Sequence, residues 1–230
     1  MNQETLTKAI EGNFDSMKTI LNWAIILSLT LLWAGVQRQQ KIETAGFKLD
    51  RCHALNFGAA LYSFANIAII IAQTRIGELL RLLKPPNKEA ALTSMFTDPW
   101  ILNPVSYITD DPIMVCINAL GVGFWVLSWW LFFSSLLSVT DRNQKQISKP
   151  LIVTFIITSG LLAVSLLNFI ITVGASAFLL DKAWGNGFFI TSGVRILACA
   201  GGWLAGKWIS HHLDGMERKL PNSVEAPQPK

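Results

Sequence analysis

PIMVCINALGVGFWVLSWWLFFSSLLSVT, residues 112–140, runs for 29 positions without an Asp, Glu, Lys or Arg. A helix crosses about 30 Å of hydrocarbon with roughly 20 residues, so this stretch is long enough to span a bilayer. Three more charge-free stretches lie around it, residues 19–37, 52–74 and 150–180. A fifth apolar stretch, residues 183–206, is broken near its middle by Arg195. None of them alternates as the roughly ten-residue strands of a membrane barrel do. Helices satisfy every backbone amide inside the segment, so helices are the expected spanning element. The sequence therefore predicts an all-α fold, a polytopic transmembrane helical bundle with four spans and a candidate fifth.

Composition agrees. Hydrophobic residues make up 51% of the chain and charged residues 15%, against about 25% charged in a soluble domain. A chain of this size has too few polar residues to cover five apolar runs as a soluble core. The net charge of +4 is ordinary for a membrane protein and gives no reason to invoke nucleic acid. Cys52, Cys116 and Cys199 have no metal-type spacing, and two of them sit in apolar runs, where Cys behaves as a small hydrophobe. Residues 1–18 are mixed in charge rather than basic, so the first apolar run is expected to stay as a signal anchor.

Working outward, the segments are read as follows. Residues 1–19 form an amphipathic helix whose Leu6, Ile10, Phe14 and Met17 share one face. That stripe either lies on the membrane surface or is a docking face for a partner. Residues 20–37 are the first span, and 38–53 a short polar loop or hairpin turning at Ala45-Gly46. Residues 54–84 are the second span with an amphipathic extension, stopped by Pro85-Pro86. Residues 85–112 read as a Pro-rich loop at the headgroup layer, with Trp100 and Tyr107 as interfacial rings. Residues 113–139 and 150–180 are the third and fourth spans, an antiparallel pair joined by a short polar turn. Residues 186–209 are a fifth span or a re-entrant or interfacial helix, and 213–230 a disordered tail.

Orientation depends on that fifth segment. With four spans, the side holding both termini carries 12 Lys/Arg against 7. With five, the side holding the hairpin, the third loop and the C-terminal tail carries 11 against 7, which reverses the chain. The reading leans to a cytoplasmic N-terminus. In the fifth segment Ala198, Gly202 and Gly206 form a small-residue face that suits close helix approach, and it is the candidate oligomer surface.

No phosphate-cradling glycine loop, metal cluster or nucleophile with a base at motif spacing is present, so no catalytic residue, cofactor or metal site is predicted. Asp98, Asp110 and Asp111 read as turn formers, and of the three histidines, His53, His211 and His212, the pair at 211–212 reads as solvated at a membrane boundary. Within the apolar runs Arg195, Asn118 and Asn168 form the candidate intramembrane polar site. Arg195 reads as a pore or cavity charge, as the partner of a carboxylate or of helix carbonyls, or as a snorkelling residue of an interfacial helix. The two asparagines read as interhelical hydrogen bonds.

Three segments carry a resemblance: KIETAGFKL at 41–49, RIGELLRLL at 75–83, and PWILNP at 99–104. In layout the chain resembles small four-helix bacterial inner-membrane proteins such as the membrane subunits of the Kiwa anti-phage defence system. The resemblance covers roughly residues 15–180 and is architectural. It implies an inner-membrane homo-oligomer that senses envelope disturbance and controls a soluble partner in antiviral defence. The residues themselves point the same way, to a non-enzymatic sensor or scaffold in the lipid bilayer. The rival expectation is a small channel or transporter with Arg195 lining its pathway.

Overall fold

The computed structural model describes residues 2–36, 41–44, 47–98, 100, 102–106, 112–141 and 148–219. In chain order these form α1 (Gln3–Val36), a hairpin of β1 (Lys41–Thr44) and β2 (Phe47–Asp50), α2 (Arg51–Leu82), α3 (Asn87–Thr97), α4 (Pro112–Asp141), α5 (Lys149–Leu180) and α6 (Lys182–Lys219). The fold is a helical bundle. Among the described residues α2, α4, α5 and α6 are long and apolar enough to cross a membrane, so the chain is a multi-pass membrane protein. Their outer faces suit lipid. Phe64, Leu120, Leu179 and Leu197 are each more than 70% exposed, a density of bare apolar surface that water does not tolerate. The charge-free run from Thr19 lies in α1, in unbroken continuation of the amphipathic stripe.

Local chemistry sets the ends. Pro85-Pro86 closes α2, since proline supplies no amide hydrogen and disfavours helix in the residue before it. Pro150 opens α5 within its first turn, where the missing N–H has no intrahelical partner to lose. Between α5 and α6 lies one residue, Asp181. Its carboxylate accepts the backbone N–H of Ala183 at 2.7 Å and caps α6. Gly185 then passes so close that an added Cβ would meet Phe178 at 2.6 Å. The chain reverses here in the smallest space available.

Side-chain contacts fix the helix directions. The Tyr62 hydroxyl donates to the Ala24 carbonyl and the Lys84 amide to Gln3 Oε1, so α1 and α2 are antiparallel. Asn66 meets Ser159, and Gln73 meets Ser165, so α2 and α5 are parallel. Gly174 and Gly185 pack on Phe188 and Phe178, so α5 and α6 are antiparallel. Gly123 meets Ala198, and Trp130 meets Gly206, so α4 and α6 are parallel. α1, α4 and α6 thus run one way and α2 and α5 the other.

Two apolar cores hold the bundle. One packs Tyr62, Phe132, Phe155 and Leu136 among α2, α4 and α5. Its rings meet in tilted and edge-to-face pairs at 5.0–5.9 Å. The other lies where α1, α2, α3, α5 and α6 converge. It holds Leu6, Ile10, Phe14 and Met17 with Ile76, Leu80, Leu92, Met95, Val173 and Phe188, each at most 4% exposed.

Five expectations change. The stripe of Leu6, Ile10, Phe14 and Met17 is not a docking face, because it is buried within the chain, in the core to which α2 and α3 contribute. The Pro-rich segment contains a helix, α3, since Asn87–Thr97 places Ala91, Leu92, Met95 and Phe96 on one buried side. Trp100 is not a headgroup-layer ring: it is 8% exposed, set edge-on against Phe14, with its Nε1 donating to Asn22 Oδ1 at 2.9 Å. Tyr107 lies outside the described residues. The expected disordered tail begins too early, because α6 continues to Lys219; residues 220–230 lie outside the described residues.

The Ala198, Gly202 and Gly206 face is likewise not a free oligomer surface, since α4 occupies it. A Cβ on Gly202 would overlap the Gly123 carbonyl, one on Gly206 would meet Trp130 at 2.8 Å, and one on Gly123 would meet the Ala198 carbonyl at 2.9 Å. The small residues let two backbones of one chain touch. Gly202→Leu is therefore expected to destabilise the protomer, by about 1–3 kcal/mol for forced overpacking. Thermal unfolding in detergent checks this. Loss of an oligomer with an unchanged unfolding midpoint would return the face to subunit contact.

Candidate functional site

Arg195 is the charged side chain that sequence reasoning flagged inside an apolar run, and the structure buries it to 5% exposure. It lies midway along α6 between Lys182 and Lys207. Facing it is the non-helical segment of residues 102–106, where Asn103, Pro104, Val105 and Ser106 are all buried. The guanidinium clasps that segment. Its Nε donates to Asn118 Oδ1 at 2.6 Å and its Nη1 to the Pro104 carbonyl at 3.2 Å. Its Nη2 donates to both the carbonyl and the hydroxyl of Ser106. Among the described residues no carboxylate pairs with it.

Asn118 completes the clasp from α4, donating its Nδ2 to the Asn103 carbonyl at 3.2 Å. Asn103 in turn donates to the Met95 carbonyl at 2.7 Å and accepts the Val105 amide at 3.0 Å. The segment is also held from α1. Lys18 Nζ meets both oxygens of Asp98 at 2.9 and 3.0 Å, and Asp98 accepts the Trp100 amide at 2.9 Å. Asp98 thus forms a turn, as its sequence suggests, and carries a half-buried ion pair that the sequence did not reveal.

Of the three flagged residues, the structure brings Arg195 and Asn118 together and sets Asn168 apart. Asn168 is exposed on α5, where with Gln73, Glu78, Arg81 and Thr172 it lines a recess of about 120 Å³ between α2 and α5. Two further buried amides lie on α2. Asn66 donates to Ser159 Oγ at 3.1 Å, and Gln73 Oε1 accepts the Ser165 hydroxyl at 2.8 Å. The seven-residue spacing of 66 and 73, matched by 158 and 165, is the signal that would have found this seam.

The clasp offers no reactive group. A guanidinium carries donors only, and at least four of its N–H vectors are in use. Among the described residues no three His, Cys, Asp or Glu side chains converge. His53 is exposed at the start of α2, and His212 stacks on Trp208 with centroids 5.7 Å apart. Asp110 and Asp111 lie outside the described residues. What the arrangement does is tie a non-helical segment to two helices. No family model, no protein of curated function and no solved structure matches the chain.

Arg195→Ala is expected to cost about 3 kcal/mol or more, since it orphans several buried carbonyls at about 1–3 kcal/mol each. Arg195→Lys should recover only part, because a point charge cannot fork to Asn118 and Ser106 together. A cysteine at position 106 should react with maleimide faster in the Ala variant. Equal rates in both backgrounds would show that Arg195 does not hold the segment.

Proposed function

We propose that the chain is a non-enzymatic, multi-pass sensor or scaffold of the bacterial inner membrane, one that reads the state of the bilayer and passes it to a soluble partner. The observation that carries this reading is mechanical. α1 and α2 run unbroken from apolar spans into one core that also seats α3, α5 and α6. At about 1.5 Å per residue, the 32 residues of α2 reach roughly 48 Å, well beyond a bilayer's hydrocarbon. A tilt or slide of the spans therefore moves the packed end directly.

A movable part lies at the junction. Beside the clasped segment, Leu102 and Pro104 border a void of about 50 Å³ that Leu21, Ile69, Val122 and Trp125 also line. Interiors normally leave little such space, and under-packed segments open first. Polar bonds from Arg195 and Lys18 hold this segment, so a bilayer that shifts α6 against α1 would strain its anchors in opposite directions. The architectural resemblance adds anti-phage defence as the setting. Homo-oligomerisation belongs to the same proposal, through lipid-facing surfaces other than the glycine face.

In this reading five segments cross, α6 included. The positive-inside count of 11 against 7 then favours the hairpin and the C-terminal tail in the cytoplasm and the N-terminus outside, the reverse of the orientation to which the sequence leans. Cysteines at Lys48 and Gln228 should react with an impermeant maleimide from one side, and a cysteine at Lys8 from the other. Labelling of positions 8 and 228 from the same side would require four spans.

The sensor reading is tested by spin labels at Glu11 on α1 and Ser94 on α3, with the exposed Cys116 replaced by Ser. Their separation should shift by a few ångström when liposomes are swollen or thinned. A distribution unmoved by any bilayer perturbation would defeat it. The channel reading meets an Arg195 whose donors are engaged by carbonyls. Solute flux lost on Arg195→Ala would reinstate it.

A further inference from the structure

The recess between α2 and α5 has no part in the clasp. It sits where α2 changes character: Thr74 ends a charge-free run, and Arg75, Glu78 and Arg81 follow. Glu78 and Arg81 both line it, one turn apart, and are not paired with each other. At its floor Gln73 is 3% exposed. The Gln73 carbonyl oxygen is taken by Ser165, while its amide nitrogen has no partner among the described residues. Asn168 and Thr172 of α5 add an amide and a hydroxyl.

Helical spacing connects this polar recess to bare apolar surface. Ile67, Thr74 and Arg81 form one seven-residue row on α2, Ile71 and Glu78 a second, and Leu161 and Asn168 a third on α5. Ile67, Ile71 and Leu161 are 45%, 49% and 55% exposed. They lie about two turns, or roughly 10 Å, further into the span than the polar residue of the same row. A molecule lying along this groove meets hydrocarbon surface first and a polar cup after it.

We propose that the recess binds one phospholipid with a primary-ammonium headgroup, its phosphate on Arg81 and the Gln73 amide, its ammonium on Glu78, and its acyl chains against Ile67, Ile71 and Leu161. One charge of each sign in one small cup matches a zwitterion. An anionic headgroup would face Glu78 uncompensated. A trimethylated ammonium has no N–H to give a carboxylate and is recognised instead by aromatic cages. The Gln73 amide, whose carbonyl oxygen is already taken by Ser165, has N–H groups left to donate to the phosphate. The proposal stands whether or not the chain is a sensor.

The test is native mass spectrometry of the full-length chain in detergent with equimolar dioleoyl phosphatidylethanolamine, phosphatidylglycerol and phosphatidylcholine. The wild type should retain one phosphatidylethanolamine at about tenfold preference over either competitor. Glu78→Gln should level phosphatidylethanolamine with phosphatidylcholine, and Arg81→Gln should weaken all three. Both side chains are exposed, so neither variant disturbs the core, and unchanged thermal unfolding will verify this. Equal retention of the three lipids by the wild type overturns the proposal, as does retention unmoved by both substitutions. Displacement of the lipid by millimolar free O-phosphoethanolamine would assign the cup to a soluble ligand and overturn it equally.

Discussion

Two groups that the bilayer interior cannot tolerate separately satisfy each other in this protein. One is Arg195, a permanent cation in the middle of an apolar helix. The other is residues 102–106, a stretch whose carbonyls have no helical partners. In hydrocarbon each would cost several kcal/mol. Brought together, the guanidinium takes the Pro104 and Ser106 carbonyls, and Asn118 takes that of Asn103. Irregular backbone is tolerated inside a membrane protein where protein buries it, and here the donors come from Arg195 of α6 and Asn118 of α4. That α4 and α6 run parallel and in contact follows, because Asn118 must reach both the loop and Arg195.

This constraint explains the glycines. Arg195 has a fixed reach, so α6 must lie close enough to α4 for Nε to meet Asn118 at 2.6 Å. Gly123, Ala198, Gly202 and Gly206 permit that approach over the next three turns, with backbone meeting backbone at Gly123 and Gly202. The small residues and the arginine are two halves of one arrangement, electrostatic near the loop and steric beyond it. An oligomer built through the same face would have to break it. Self-association, where it occurs, is thereby directed to the lipid-facing surfaces.

Much of this fold is legible in the sequence because lipid imposes a coarse rule. Long charge-free runs such as 112–140 and 150–180 must become helices, and they do, as α4 and α5. The reading fails where a residue's role depends on a distant partner. The 3.6-residue periodicity of Leu6, Ile10, Phe14 and Met17 correctly marks a helix face, but nothing local says whether water, lipid or α2 lies against it. α3 was hidden because Pro85, Pro86 and Pro99 frame it and make the whole segment read as loop. Arg195 is identifiable as costly and Asn118 as a second polar group in an apolar run, yet the Pro104 and Ser106 carbonyls that complete the clasp lie some ninety positions earlier, and carbonyls carry no sequence signature. Gln73 and Asn66 carry no local signal, because a single amide in an apolar run has no evident role until its facing hydroxyl is known.

The two polar features divide the labour of the bundle differently. The Arg195 clasp is closed: four of its five N–H donors are engaged and the residues it holds are buried. The α2–α5 seam is graded. Toward one end, Asn66 is closed by Thr158 and Ser159; one turn pair on, Gln73 is half satisfied by Ser165; beyond it Glu78 and Arg81 are open to the recess. Polar groups left incompletely paired at a membrane boundary are tolerable only when water or lipid headgroups complete them. Gln73 also lines the void beside the segment that Arg195 restrains. Occupancy of the recess and the position of the clasped segment thus share a residue, and through Gln73 a change in one has a direct physical route to the other.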